Sequence, residues 1–308
     1  MLSVVVPLYN KRNSIIKTIQ SVLRQTVSDF ELIVVDDGST DNSLAVVKAV
    51  NDERIRVIPK DNGGVSSARN VGIKAAKSEF VALLDGDDIW DKTFLEEQLK
   101  LIEAFPEAAM WGVNYAFVKG DNCTPCDQGM GDGFRGYVEN YFCTSHNDLF
   151  CSSSVVIRRD IFEKVGYFDE RISASEDLDM WYRIILHNPV VYYDKVLAYY
   201  NQNAENRVAY DTDYRFPLSK SILYYVDKYQ SEYQINPVFS RYMNNYVAAN
   251  LLKEGYYFGT RQERIDSNHV VKSLRYQDIH PKYRWIFMTP RWFGKIVYRI
   301  VCLKKKIR

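Results

Sequence analysis

The sequence predicts an α/β fold built on a doubly wound, mostly parallel sheet. Three observations carry that prediction. Over the first ninety residues, apolar β-branched runs alternate with segments of helical period, the pattern of repeated β-α-β units. Those runs are continuously apolar, as expected of strands buried on both faces. Each of three runs also stops at a polar cluster, at residues 7–10, 36–41 and 85–88. Ligands of open sheets bind beyond the carboxyl ends of the strands, so the three clusters are expected to converge on one crevice.

Taken in order, Ser3-Val4-Val5-Val6 forms the first strand and Pro7 closes it. Asn13 is placed to cap a helix whose Ile15, Ile19, Val22 and Leu23 share a face. Glu31-Leu32-Ile33-Val34-Val35 is the second strand, and Thr40 or Asp41 caps a helix carrying Leu44, Val47 and Val50. Residues 54–58 form the third strand, Asn62-Gly63-Gly64 a turn, and residues 66–76 the third helix. Phe80-Val81-Ala82-Leu83-Leu84 is the fourth strand and leads into Asp85-Gly86-Asp87-Asp88.

Three carboxylates within four positions repel one another unless a cation sits among them. A hard divalent ion, Mn2+ or Mg2+, suits such oxygen ligands and commonly bridges substrate phosphates. A solvated acidic turn that caps the next helix would also account for this cluster, though it would have to be invoked at all three strand ends. A dinucleotide site needs Gly-x-Gly-x-x-Gly after the first strand. Here that turn reads Pro7-Leu8-Tyr9-Asn10-Lys11, without glycine, and a Walker-type lysine loop is missing too. A nucleotide would need other contacts: Tyr9 stacking on a base, Asp37 accepting from a base N–H, and Arg69 reaching a base carbonyl or phosphate.

With 308 residues, 46% hydrophobic and 26% charged, the chain has the composition of a globular protein with a sizeable core. No apolar run reaches the roughly 18–20 residues of a membrane span. The opening Met1-Leu2-Ser3-Val4 enters a strand directly, so no secretory signal is expected, and five cysteines suit reduced thiols in the cytoplasm. A net charge of +1 conceals an asymmetry: residues 282–308 hold nine Lys or Arg and no acid, leaving 31 basic against 39 acidic residues elsewhere.

Val5-Val6-Pro7-Leu8-Tyr9-Asn10, Asp36-Asp37-Gly38-Ser39-Thr40-Asp41-Asn42-Ser43, Asn62-Gly63-Gly64-Val65-Ser66-Ser67-Ala68-Arg69-Asn70-Val71-Gly72 and Asp85-Gly86-Asp87-Asp88 occur in that order. Together they resemble the motif series of family 2 glycosyltransferases, inverting enzymes of the GT-A fold, and the resemblance extends over about residues 1–205. It implies a Rossmann-like nucleotide-diphospho-sugar transferase sheet. Pro7, Tyr9, Asp37, Arg69 and Asp85 would bind the donor, a UDP-sugar, with Asp85 near the ribose. Asp87 would ligate the metal, and Asp88 would support the site from behind or cap a helix.

Ser175-Glu176-Asp177-Leu178-Asp179-Met180-Trp181 is similar to the family's Glu-Asp motif, preceded by Val165-Gly166-Tyr167-Phe168-Asp169-Glu170. Asp177 would then be the catalytic base, with Glu176 and Trp181 at the acceptor. Acidic residues are also favoured in a first helical turn, and both roles are compatible. The chain departs from the family after Tyr199-Tyr200, where Asn201 and Asn203 stand in place of an Arg and a His near the diphosphate; that contact is absent unless Arg207 supplies it.

Residues 119–147 hold Gly129, Gly131, Gly133 and Gly136, a density that suggests a mobile lid or a surface loop. Cys123 and Cys126 lie there too, and one Cys-x-x-Cys without a second pair does not make a zinc site.

The expected organisation is a catalytic domain at 1–209, divided into a donor half (1–90) and an acceptor half (91–209). A helical appendage follows at 210–281, with helices near 216–229, 238–258 and 261–274, and then a basic amphipathic tail at 282–308. In the tail, Arg291, Lys295 and Arg299 flank an apolar sector of Trp292, Phe293, Ile296, Val297 and Ile300. Residues 286–308 are therefore expected to dock on an anionic membrane surface, on its cytoplasmic face. No nucleic-acid reading motif accompanies this charge.

The enzyme so implied transfers a hexosyl or N-acetylhexosaminyl group to a hydroxyl of a carbohydrate or lipid-linked acceptor in cell-surface polysaccharide synthesis. Two rivals remain. A sugar-1-phosphate nucleotidyltransferase would carry a glycine-rich basic loop after the first strand, unlike residues 7–11. A catalytically inactive sugar-nucleotide-binding subunit is opposed by the retention of Asp85, Asp87 and Asp177.

Overall fold

The computed structural model describes residues 1–139, 141–144, 149–172, 175–205 and 228–250. The chain divides into two compact units, Met1–Tyr210 and Asp211–Arg308.

In the first unit, β1 (Leu2–Leu8) is flanked by β2 (Phe30–Asp37) and β4 (Phe80–Leu83), and β2 pairs with β3 (Ile55–Lys60); all three ladders are parallel. Leu2, Val4, Val5, Val6 and Leu8 are fully buried because β1 is central and covered on both faces. Burying each such side chain contributes roughly 1.5–3 kcal/mol, which explains the absence of polar alternation. The helices α1 (Ile15–Leu23), α2 (Ser43–Lys48) and α3 (Val65–Ala75) supply the crossovers. Gly72 of α3 lets helix and sheet approach closely, since a Cβ there would lie 2.3 Å from Val5 Cγ1.

Beyond β4 the sheet becomes mixed. Its order is β3-β2-β1-β4-β9-β6-β10-β5, with β5 (Ile89–Trp90), β6 (Met110–Lys119), β9 (Val155–Arg158) and β10 (Val190–Asn201). β9 runs antiparallel to both β4 and β6, whereas β10 runs parallel to β6. The helices α4 (Phe94–Ala104), α6 (Arg159–Val165) and α7 (Glu176–Ile185) pack on this half.

The glycine-rich stretch is not the structureless loop expected. It contains β7 (Asn122–Pro125), paired with β6, β8 (Arg135–Tyr137), paired with β10, and the short α5 (Tyr141–Thr144). Gly129, Gly131 and Gly133 take positive φ between the two strands, so glycine serves turn geometry there. Cys123 is exposed and Cys126 buried.

Two expected caps are replaced. Asn13 does not cap α1; its N–H donates instead to Oε1 of Glu205 at 2.9 Å, which supplies the carboxylate from a remote segment. Asn42 occupies the cap position of α2, although Asp41 accepts from the Ser43 N–H at 2.9 Å.

In the second unit, α8 (Gln230–Ile235) and α9 (Pro237–Asn250) are described. Asn236 Oδ1 accepts from the Phe239 N–H at 3.0 Å and Pro237 takes the first helical position, which together define the start of α9. Phe239 and Met243 are buried, with Tyr229 edge-on to Phe239 at 5.3 Å. The helices expected near 216–229 (apart from residues 228 and 229) and 261–274, and the basic tail, lie outside the described residues. Among the described residues no helix is long and apolar enough to cross a membrane.

Candidate active site

The carboxyl ends of β1, β2 and β4 lie side by side in parallel ladders, and side chains stitch their loops together. Asn10, left-handed at φ 51°, accepts at Oδ1 from the Thr40 N–H at 2.8 Å and donates its own N–H to Ser39 Oγ at 3.1 Å. The Lys11 N–H donates to Ser43 Oγ at 2.8 Å. Gly86 is required where the loops approach, because a Cβ there would stand 2.9 Å from the Pro7 carbonyl oxygen. Tyr9, just past the end of β1, is 43% exposed.

Asp37 is placed differently from expectation. It is buried, Oδ1 accepting from Gly63 N at 2.9 Å and Lys60 Nζ at 2.5 Å, and Oδ2 from Gly64 N at 2.8 Å. Its carboxylate holds the turn before α3 rather than facing open space for a base N–H.

Arg69 is also put to another use. Its side chain is 3% exposed, and its two terminal nitrogens donate to Asp85 Oδ1 and Glu176 Oε1, each at 2.7 Å. Each amino group thus has one of its N–H donors on a carboxylate. Burial alone would lower the guanidinium pKa, but the charges of Asp85 and Glu176 outweigh it and hold the group above its ordinary value. Glu176 accordingly faces Arg69, where an acceptor contact was expected.

The helix α7 is locked in place by its surroundings. The Arg69 guanidinium lies over the Phe168 ring at 5.3 Å, and Phe168 meets Trp181 edge-on at 6.4 Å. Asn70 clasps the same segment, donating to the Phe168 carbonyl and accepting from its N–H, each at 2.9 Å. Trp181, expected at the acceptor, has no exposed surface and packs in the core. Asp177 occupies the first turn of α7, its Oδ1 accepting from the Leu178 N–H at 2.8 Å.

The acidic cluster resolves into three environments. Asp85 pairs with Arg69. Asp87 Oδ2 accepts from Lys11 Nζ at 2.7 Å, and the same ammonium donates to the Glu205 carbonyl. Asp88 is buried, accepting from Ser153 Oγ at 2.6 Å and from the Asn201 N–H at 2.9 Å. Burial, then the charges of Asp87 and Asp85, push the Asp88 carboxyl well above the usual range. Asp88 thus ties together the segments of Ser153 and Asn201 rather than capping a helix.

Asp85 and Asp87 are oxygen donors of the kind a hard cation takes, and each already faces a cation of the protein: Arg69 beside Asp85 and the Lys11 ammonium beside Oδ2 of Asp87. Among the described residues no group of three or more metal-ligating side chains occurs, so further ligands would come from substrate oxygens and water.

Sequence reasoning missed Asn10, Lys11, Asn70, Ser153 and Glu205. Asn10, Lys11 and Asn70 stand inside or beside the motifs, whereas Ser153 and Glu205 carry no local signal and join the site only through the fold.

Residues 3–166 match the family described as glycosyl transferase family 2, more than half of the chain. The chain belongs to glycosyl transferase family 2. An uncharacterized glycosyltransferase of Rickettsia felis is 33% identical over 201 residues, covering 64% of this chain and 32% of that protein. The Escherichia coli UDP-Glc:alpha-D-GlcNAc-diphosphoundecaprenol beta-1,3-glucosyltransferase WfgD is 36% identical over 123 residues, 40% of this chain and 48% of that protein. The chain thus spans about a third to a half of these curated relatives. The crystal structure of S. aureus TarS 1-349 in complex with UDP-GlcNAc aligns with a TM-score of 0.71 at 21% identity, over 92% of this chain and 82% of that one. The α/β architecture is therefore the GT-A fold.

Proposed function

We propose that this chain is a metal-dependent, inverting glycosyltransferase that moves a hexosyl or N-acetylhexosaminyl group from a UDP-sugar to a hydroxyl acceptor, carbohydrate or lipid-linked. The observation that carries this reading is the Arg69 bridge, which sets the first turn of α7, and with it Asp177, beside the acidic cluster at the end of β4. The proposed proton acceptor thereby directly follows a residue tied through Arg69 to the proposed donor site. The TarS complex with UDP-GlcNAc and the diphosphoundecaprenol acceptor in the name of WfgD support the donor and acceptor classes.

Asp177 takes the proton of the acceptor hydroxyl as its oxygen bonds to the anomeric carbon. The bond from that carbon to the diphosphate oxygen breaks, its electron pair leaves with the nucleotide diphosphate, and the single displacement inverts the centre. Tyr9 stacks on the base. Asp87, with Asp85, would hold the Mn2+ or Mg2+, which when bound neutralises the leaving diphosphate so that no acid is needed to protonate it. Arg69 keeps Asp85 and Glu176 apart from mutual repulsion and fixes the wall that carries Asp177.

The basic tail docks the enzyme on the cytoplasmic face of an anionic membrane, near lipid-linked acceptors; unchanged pelleting with anionic liposomes after deletion of 286–308 would count against it. The central test presents a panel of nucleotide sugars with manganese and follows hydrolysis or transfer, with the product anomer read by NMR. Inversion is expected, and Asp177→Asn is expected to lower kcat by roughly 10²–10⁴-fold without changing UDP affinity. Normal turnover in that variant, or retention at the anomeric centre, would overturn the reading.

A further inference from the structure

We propose that Lys11 is the resident counter-ion of Asp87, which yields this carboxylate to the divalent cation and turns to the donor diphosphate. The inference rests on the donor reading above. Lys11 sits in the loop after β1 at the crevice, yet it shares neither the interior of a helix nor the core. Its ammonium lies 2.7 Å from Asp87 Oδ2, both side chains mostly buried at 13% and 15% exposure. The ammonium also donates to the Glu205 carbonyl, and Glu205 Oε1 in turn accepts from the Asn13 N–H at 2.9 Å. Lys11 therefore stands between the carboxylate best placed for a metal and the segment that follows β10.

A half-buried pair of this kind contributes little to stability for the desolvation it costs, and its position gives it another use. A carboxylate awaiting a divalent ion is costly to leave bare in a cluster with Asp85 and Asp88. A lysine on a flexible stem can neutralise it and then move, which a guanidinium bridged to two carboxylates, like Arg69, cannot. The same end of β10 presents Asn201 and Asn203, neutral residues, where a trianionic leaving group needs positive charge. An ammonium released from Asp87 remains within a few ångströms of any phosphate bound to the metal there. Free cation and Lys11 compete for Asp87, while nucleotide diphosphate offers Lys11 a new partner. The cation and the nucleotide consequently bind better together than apart.

The experiment uses the full chain and Lys11→Met, with Lys11→Arg as a charge-retaining companion and circular dichroism to confirm folding. Mn2+ binding without nucleotide is measured by the EPR signal of the free ion, and UDP and uridine binding without metal by calorimetry. Removing the competing charge is expected to tighten Mn2+ binding about tenfold in Lys11→Met, and losing the phosphate contact to weaken UDP about tenfold while uridine is unchanged. Lys11→Arg is expected to resemble the parent in both. Unchanged or weaker Mn2+ binding in Lys11→Met overturns the counter-ion role. Equal losses for UDP and uridine, or no loss for either, overturn the diphosphate role. If the parent protein binds neither UDP nor uridine, the donor reading itself fails, and the Mn2+ measurement still decides the counter-ion role.

Discussion

The guanidinium of Arg69 lies 2.7 Å from Oε1 of Glu176, joining α3 to the first turn of α7 across 107 residues of sequence. Its other amino group reaches Asp85. One buried cation thus ties α3 and the end of β4 to the first turn of α7.

Arg69→Met should therefore be strongly destabilising, because it leaves two carboxylates facing each other without their cation. A loss of about 3–5 kcal/mol is expected, the cost of breaking a buried pair from one side. Chemical denaturation would measure it. Arg69→Lys, a single point of charge unable to span both partners, should recover only part of the loss.

Trp181 separates packing from acceptor binding. Its side chain is fully buried, and among the described residues its Nε1 has no hydrogen-bond partner. Trp181→Phe removes an unsatisfied donor along with some volume, so it should cost less than about 2 kcal/mol. Its acceptor KM should match that of the parent. Trp181→Ala should cost about 3–5 kcal/mol.

Gly72→Ala pits two effects against each other. Alanine gains about 1 kcal/mol of helix propensity over glycine. Its Cβ, however, would stand 2.3 Å from Val5 Cγ1 and 3.3 Å from Val35 Cγ2. Overpacking of this kind costs about 1–3 kcal/mol, and because both neighbours sit on central strands with no room to retreat, the clash should win. A lowered Tm would show it.

Asp52 gives a pH signature remote from the site. Hydrogen bonds from the Arg54 side chain and backbone hold its pKa at about 2. A carboxylate depressed on folding contributes stability above its unfolded value, and that contribution disappears as pH falls through the folded one. Asp52→Asn should thus cost less than about 1 kcal/mol at neutral pH, given the exposure of the pair. The difference should shrink below about pH 4 and vanish near pH 2, as thermal melts across that range would record.

Much of this architecture can be read from local pattern. β1, β2 and β4 announce themselves through their long apolar runs, most of whose positions are buried. The acidic cluster, the Asn62-Gly63-Gly64 turn and the Glu176-Asp177 pair likewise stand out, since repulsion, turn geometry and helix polarity each demand particular residue types. What escapes is contact between distant segments. Nothing near Glu205 says that it accepts from the Asn13 N–H ahead of α1, and nothing near Ser153 says that it accepts from the Asp85 N–H while donating to Asp88. The same limit hides the intramolecular partners of Asp37, Arg69 and Glu176 and the burial of Trp181. A polar or aromatic residue in a motif looks available for ligand until the fold shows which neighbour already holds it. Beyond residue 90 the strands are also harder to read, because β9 is only four residues long and β10 carries register shifts between Tyr193 and Ala198.

The neighbours of β4 have a consequence for how the molecule can be assembled or cut. One edge of Phe80–Leu83 is closed by β1, but the other waits for β9, which the ribosome delivers only at residues 155–158. A fragment ending near residue 90 would present an apolar strand with an open row of backbone donors and acceptors, a template for aggregation. The donor half is for that reason not a portable module. Chimaeras that exchange donor specificity between relatives should place their junction after residue 158, where the sheet has closed over its most apolar strand.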